Sequence, residues 1–139
     1  MKIATDHITV PTNGNADVVD LSEEVAAVLR RREFRDGQVT VFIVGSTAAV
    51  TTIEFEPGLK RDVPEVLDRL IPGGVRYHHN DTGGDGNGHA HIRASLIGSS
   101  LVVPFTDGRL MLGTWQQIVL IDFDVRPRRR DVVVQILGE

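Results

Sequence analysis

A chain of 139 residues without cysteine can hold no disulfide and no thiolate metal site, so any metal must rest on His, Asp or Glu. A net charge of -4 excludes a global basic field for nucleic acid, and 41% hydrophobic with 24% charged residues fits one globular domain over 1–139. No apolar run approaches the ~20 residues of a membrane span, and MKIATDHITV lacks a basic-then-apolar leader, so a cytoplasmic protein free of membrane is expected.

KIATDHITV (2–10) is β-branched and reads as a strand, followed by a PTNGN loop. From Asp17, the spacing of Val18, Leu21, Val25, Val28 and Leu29 predicts an amphipathic helix, acidic at Glu23–Glu24, basic at Arg30–Arg32 and stopped by Asp36–Gly37. QVTVFIV (38–44) and AAVTTIEFE (48–56) read as strands that Gly45–Ser46–Thr47 joins in a hairpin, with Glu54 and Glu56 on one side. A second helix is predicted within 57–74, beginning near Asp62 because Pro64 suits a first turn. Strands follow at 91–98, 100–105, 109–113, 114–124 and 131–139. Turns at Thr106–Asp107–Gly108 and near Pro127 predict antiparallel neighbours. In 118–123, Ile118, Leu120 and Asp122 alternate with Val119, Ile121 and Phe123. The expected fold is α+β, a mostly antiparallel sheet or sandwich with two helices.

The chemistry concentrates in YHHNDTGGDGNGHAHIR (77–93), which carries four of the five histidines. In an extended segment His89 and His91 project to one side, and the glycine-rich loop folds His79 back to join them. Three neutral imidazoles suit zinc or another transition metal. Asp85 is a candidate ligand, imidazole-orienting partner or general base. The spacing matches neither the helical H-E-x-x-H pattern nor a phosphate-binding P-loop. A mobile polar surface loop is the plain alternative.

YHHNDTGGDGNGHAHIRASLIGSS, with GSTAAVTTIE before it and DGRLMLGTWQQIVLIDFD and RRRDVVVQILGE after it, resembles the YjbQ-like family. The resemblance spans roughly residues 38–139 and implies an α+β subunit, a homotrimer, a site near subunit interfaces and secondary thiamine-phosphate synthase activity. That reaction joins a pyrimidine diphosphate to a thiazole phosphate and releases pyrophosphate. It requires stabilisation of the leaving charge and orientation of two reactants. His79 and His91 correspond to the family's histidine-rich pocket, and Trp115–Gln116 to its GTWQ segment. On this reading His91, Asp85 and Gln116 are catalytic candidates. His79, His89 and His91 hold a divalent metal, with magnesium an alternative beside a diphosphate. Arg93 and Arg109, or an arginine of 126–130 from a neighbouring subunit, clamp phosphate, Trp115 stacks on a heteroaromatic ring and Gln116 reads its polar edge. Two positions depart from the family pattern: Gly45 stands where many members carry histidine, and His89 where many carry none. His89 is thus a candidate replacement ligand. The other readings are a hydrolase of small phosphorylated substrates and a non-catalytic module binding a metal or metabolite.

Overall fold

The computed structural model describes residues 1–139. In chain order its elements are β1 (Lys2–Thr12), β2 (Asp17–Asp20), α1 (Ser22–Arg32), β3 (Gly37–Val44), β4 (Ala48–Ile53), α2 (Pro57–Leu70), α3 (His78–Gly83), α4 (Gly88–Ile97), β5 (Ser100–Thr106), β6 (Arg109–Leu110), β7 (Gln117–Asp122) and β8 (Arg128–Gly138). The strands form a five-stranded sheet, β1-β8-β3-β5-β6, and a three-stranded sheet, β2-β7-β4. Every ladder is antiparallel. The expected α+β antiparallel sandwich is what forms, with four helices in place of two.

β7 shows why the layers stack as they do. Ile118 and Leu120 face the core between the sheets, together with Val39, Val41, Val134 and the α1 residues Val25 and Leu29. Val119 and Ile121 face outward with Phe123, and Leu67 of α2 and Ala90 and Ala94 of α4 cover them. A strand buried on both sides reads as a continuous apolar run. Burial of each such aliphatic side chain stabilises the fold by about 1.5–3 kcal/mol.

Several connections differ from expectation. Residues 17–20 are a strand paired with Asp122–Val119, and the helix begins only at Ser22. The helical spacing of Val18 arose from two elements placed end to end. Helix α1 ends at Glu33, whose φ of 60° supplies the left-handed cap, before Asp36–Gly37 is reached. Its arginines have surface partners: Arg30 pairs with Glu23, and Arg31 and Arg32 pair with Asp6. Gly45–Thr47 is no hairpin but a crossover, since β3 pairs with β5 and β8 while β4 pairs with β7. The turn at Pro127 likewise carries the chain between sheets. Asp107–Gly108 does close a hairpin, but its second strand is only Arg109–Leu110. Helix α2 starts at Pro57, not near Asp62. The Glu56 carboxylate accepts from the Gly58 and Leu59 N–H groups, which makes Glu56 a cap and not a strand partner of Glu54. No helix is long and apolar enough to cross a membrane.

Candidate functional site

The segment after the glycine loop is helical. Residues 88–97 form α4 and not the expected strand. Ala90 and Ala94, one turn apart, bury that face of α4 against the three-stranded sheet, where small side chains permit close approach. On a helix, residues two apart stand roughly 200° apart around the axis. His89 and His91 therefore leave on opposite sides, which removes the geometric basis for pairing them on one ion.

His91 meets His79 instead. Their ring centroids are 4.4 Å apart, edge to face at 67°. Two glycines make this contact possible. A Cβ on Gly83 would stand 2.7 Å from His79 Cε1, so only glycine lets the imidazole lie back over its own short helix. A Cβ on Gly88 would stand 2.5 Å from Tyr77 Cβ, where α3 and α4 close together and the Gly88 N–H donates to Asn80 Oδ1 at 2.9 Å. Gly88→Ala is expected to push α3 away and separate the two imidazoles. Loss of through-space NMR contacts between the His79 and His91 rings, with the remaining spectrum preserved, checks this.

His91 opens onto a cleft of about 480 Å³ that Gly45, Ser46, Ser95, Gly98 and Ser99 also line. Behind Gly45, whose φ is 148°, lies Arg130, with Nη1 3.0 Å from where a Cβ would stand. Arg130 belongs to a buried polar network. Its Nε and Nη2 donate to both oxygens of Asp122 at 2.7 and 2.8 Å, and Nη2 also donates to Thr47. Thr12 donates to Asp122, and Thr47, Asn87 and Arg128 donate to Asp124. Asp122 and Asp124 are 0% and 1% exposed. Burial alone would raise the Asp124 carboxyl. Hydrogen bonds from the Val125 N–H, Arg128, Asn87 and Thr47 outweigh it and hold the group at about 2. Burial opposes Asp122 in the same way, and its bonds to Arg130 and Thr12 and from the Asp124 N–H carry it below the ordinary value. Asn87 stands at the start of α4, with its amide N–H spent on Asp124 and its Oδ1 the one buried side-chain polar atom without a partner. The network thus ties the His91 helix to the crossover at Gly45.

The sequence reading did not single this network out. Its signal is the spacing: Asp122 and Asp124 two apart, and Arg128 and Arg130 two apart, which face each other when both segments are extended. Asp122 stands in an otherwise apolar alternation, where a charge calls for a buried partner.

The other predicted residues scatter. His89 packs beside Gly73, 6.4 Å from the Tyr77 ring, and lines a different cleft with Arg93. Burial first, and the Arg93 charge second, lower its pKa. Arg93 is 6% exposed and donates to the Ile71 carbonyl and to Asp68, away from His91. Asp85 is exposed in the α3–α4 connection and enters no ion pair or side-chain hydrogen bond. Arg109 is exposed on the edge strand β6. Trp115 is 70% exposed. Gln116 accepts from the Gly113 N–H and donates to Thr52, and it lines a third cleft, beside Met111 and Leu112. No three His, Asp or Glu side chains of the chain converge on one ion position. His79 and His91 are the residues that would hold a divalent ion. Two imidazoles are half of a four-coordinate zinc set, and the remaining donors would have to come from outside this chain. His89, across α4, does not replace the side chain that Gly45 lacks.

A family model described as "UPF0047 protein YjbQ-like" matches residues 6–139. A UPF0047 protein of Archaeoglobus fulgidus is 38% identical over 130 residues, covering 94% of this chain and 98% of the relative. One from Mycobacterium tuberculosis is 37% identical over 128 residues, covering 92% and 93%. Among solved structures, a YbjQ-like protein of unknown function from Sulfolobus solfataricus P2 superposes with a TM-score of 0.94 at 33% identity, covering 99% of both chains. A hypothetical protein from Aeropyrum pernix K1 superposes at 0.92 with 37% identity, covering 98% and 99%.

Proposed function

The chain belongs to the YjbQ-like UPF0047 family, and on that premise we propose that it is a transferase of the thiamine-phosphate synthase kind, acting on a diphosphate ester at the His91 cleft. The observation that carries this reading is His91, packed against His79, at a cleft that Ser46, Ser95 and Ser99 also line. Diphosphate departure needs donors aimed at the oxygens where charge develops, and imidazole N–H and serine O–H groups are such donors. In the reaction the thiazole nitrogen forms a bond to the pyrimidine methylene carbon. The bond from that carbon to the diphosphate oxygen breaks, and its electron pair leaves with the diphosphate. His91 donates a hydrogen bond to the departing oxygen, and His79, packed on its edge, fixes the ring that does so. A divalent ion bound by the two imidazoles would add Lewis acidity toward the same oxygens.

Trp115, Gln116 and Arg109 stand apart from His91 in one chain, so in this reading they serve a site completed by a neighbouring copy. The homotrimer that the family resemblance implies would provide one. Exposed Phe42, Val44 and Val102 on the five-stranded sheet offer an apolar surface for that contact. The test incubates the protein with pyrimidine diphosphate and thiazole phosphate, with magnesium or zinc, and follows thiamine phosphate and pyrophosphate by chromatography. Product that requires both substrates supports the transferase. Pyrophosphate or phosphate release without the thiazole supports a hydrolase. The incomplete metal set at Gly45 favours a second reading, a module that binds without turnover. Saturable diphosphate binding with no product would establish that reading, and neither binding nor product overturns both.

A further inference from the structure

Helix α4 is a wall shared by two clefts. His91 lines one, and His89, on the opposite side of the helix, lines the other with Arg93, Glu65 and Asp68. We propose that this second cleft is a separate ligand site, independent of the transferase reading, and that it takes a small zwitterion: an ammonium compound carrying a carboxylate.

The cleft measures about 360 Å³, room for a molecule of amino-acid size. Its floor holds a buried cation in a fixed position. Arg93 Nε and Nη2 donate to the Ile71 carbonyl at 2.9 and 2.8 Å, Nη2 reaches Asp68 at 3.3 Å, and the guanidinium stands 5.9 Å from the Phe123 ring. Nη1 makes no hydrogen bond, and Arg93 lines the cleft. A guanidinium immobilised on one edge and unspent on the other presents ready donors to a carboxylate. His89 lies beside it. Its ring nitrogens add a donor or acceptor to the same lining.

The acidic side of the cleft adjoins this guanidinium, since Asp68 already pairs with Arg93 Nη2. Glu65 and Asp68 are three apart on α2 and share one face of that helix. A simple anion at Arg93 would meet these two carboxylates, and a simple cation at the carboxylates would meet Arg93. A molecule with a carboxylate at one end and an ammonium at the other satisfies at once the Arg93 Nη1 edge and the Glu65 carboxylate, which makes no ion pair of its own. Discrimination between charges is obtained in this way from attraction and repulsion together.

The test uses the full chain and three zwitterions of increasing length, glycine, β-alanine and γ-aminobutyrate, with acetate and methylammonium as single-charge controls. Chemical shifts of the Arg93 Nε–H and the His89 ring are followed by NMR. One zwitterion is expected to bind saturably with a Kd no weaker than about 1 mM, with both controls at least about tenfold weaker, since each forgoes one charged hydrogen-bonding end. Glu65→Gln is expected to weaken that binding by about tenfold or more. Glu65 lies at the surface and pairs with no other group, so the variant keeps its fold, and it leaves the His79 and His91 resonances and any response of theirs to diphosphate unchanged. Arg93→Lys is expected to abolish binding, and matching backbone spectra confirm that its fold is retained. Acetate binding as tightly as the zwitterions, binding undiminished in the carboxylate variant, or no saturable shift with any of the three overturns the proposal. None of these outcomes bears on turnover at His91.

Discussion

Arg130→Met is expected to destabilise the fold by about 3–5 kcal/mol, because it leaves the Asp122 carboxylate buried without its cation. Asp122 is 0% exposed and takes two bonds from that guanidinium. For a chain of this size a kcal/mol corresponds to about 3–4 °C, so Tm should fall by roughly 10–20 °C. Asp122→Leu combined with Arg130→Met should recover part of the loss, since no uncompensated charge then remains. Acid dependence carries the same information. Asp122 and Asp124 both lie below the ordinary aspartate value of 3.8, Asp124 at about 2. A depressed carboxyl contributes stability that is complete above the unfolded-state value and lost as pH falls through the folded one. Wild-type Tm should therefore drop steeply between about pH 4 and pH 2. The slope should be shallower in Arg130→Met, where Asp122 no longer has the partner that lowers it. Urea unfolding that finds a loss below about 1 kcal/mol, the range of an exposed pair, would show that water reaches the network and that it does not anchor α4 to the crossover.

His91→Ala is expected to lower turnover of the diphosphate substrate by about 10²–10³-fold, the range for a donor aimed at developing charge. His79→Ala should cost less, about tenfold, because it orients the His91 ring without reaching the leaving oxygen itself. Neither ring lies in a hydrophobic core cluster, so Tm should move by less than in the Arg130 variant. The His79→Ala/His91→Ala double variant also tests the metal. Stoichiometric zinc in untagged wild type by elemental analysis, lost in the double variant, would show that the imidazole pair holds an ion and takes its remaining donors elsewhere. Turnover unchanged in His91→Ala would remove the proposed site altogether. Turnover lost only in His89→Ala would move the chemistry across α4 into the second cleft.

Much of the architecture follows from local pattern. The two-residue alternation of 118–123 assigns Ile118 and Leu120 to one core and Val119, Ile121 and Phe123 to another. The turn signal Asp107–Gly108, both at positive φ, closes a hairpin as such pairs do. The stretch 77–93 is visibly a place of chemistry from its density of histidine. Where the pattern misled, two outcomes shared one local signature. Gly45–Ser46–Thr47 has the composition of a hairpin and serves as a crossover, because strand pairing is chosen by partners far along the chain. Val44 lies opposite Asp131 of β8, while Ala48 lies opposite Asp122 of β7.

The candidate site turns on the same ambiguity. Composition and periodicity were enough to identify a cysteine-free α+β antiparallel domain and a histidine cluster, and the resemblance of its motifs pointed to the family, because each is a property of residues and their near neighbours. Whether HAHIRASLIG is strand or helix was not a local matter, for Ile favours one and Ala, Leu and Arg the other. Burial of Ala90 and Ala94 beneath the three-stranded sheet settles it as helix. That one choice rotates His89 to Arg93 and the acidic face of α2, leaves His91 with His79, and divides the histidines between two clefts flanking α4 in place of a single three-histidine centre. The period of a segment, 3.6 or 2, sets which side chains share a face, and here packing against distant residues sets the period.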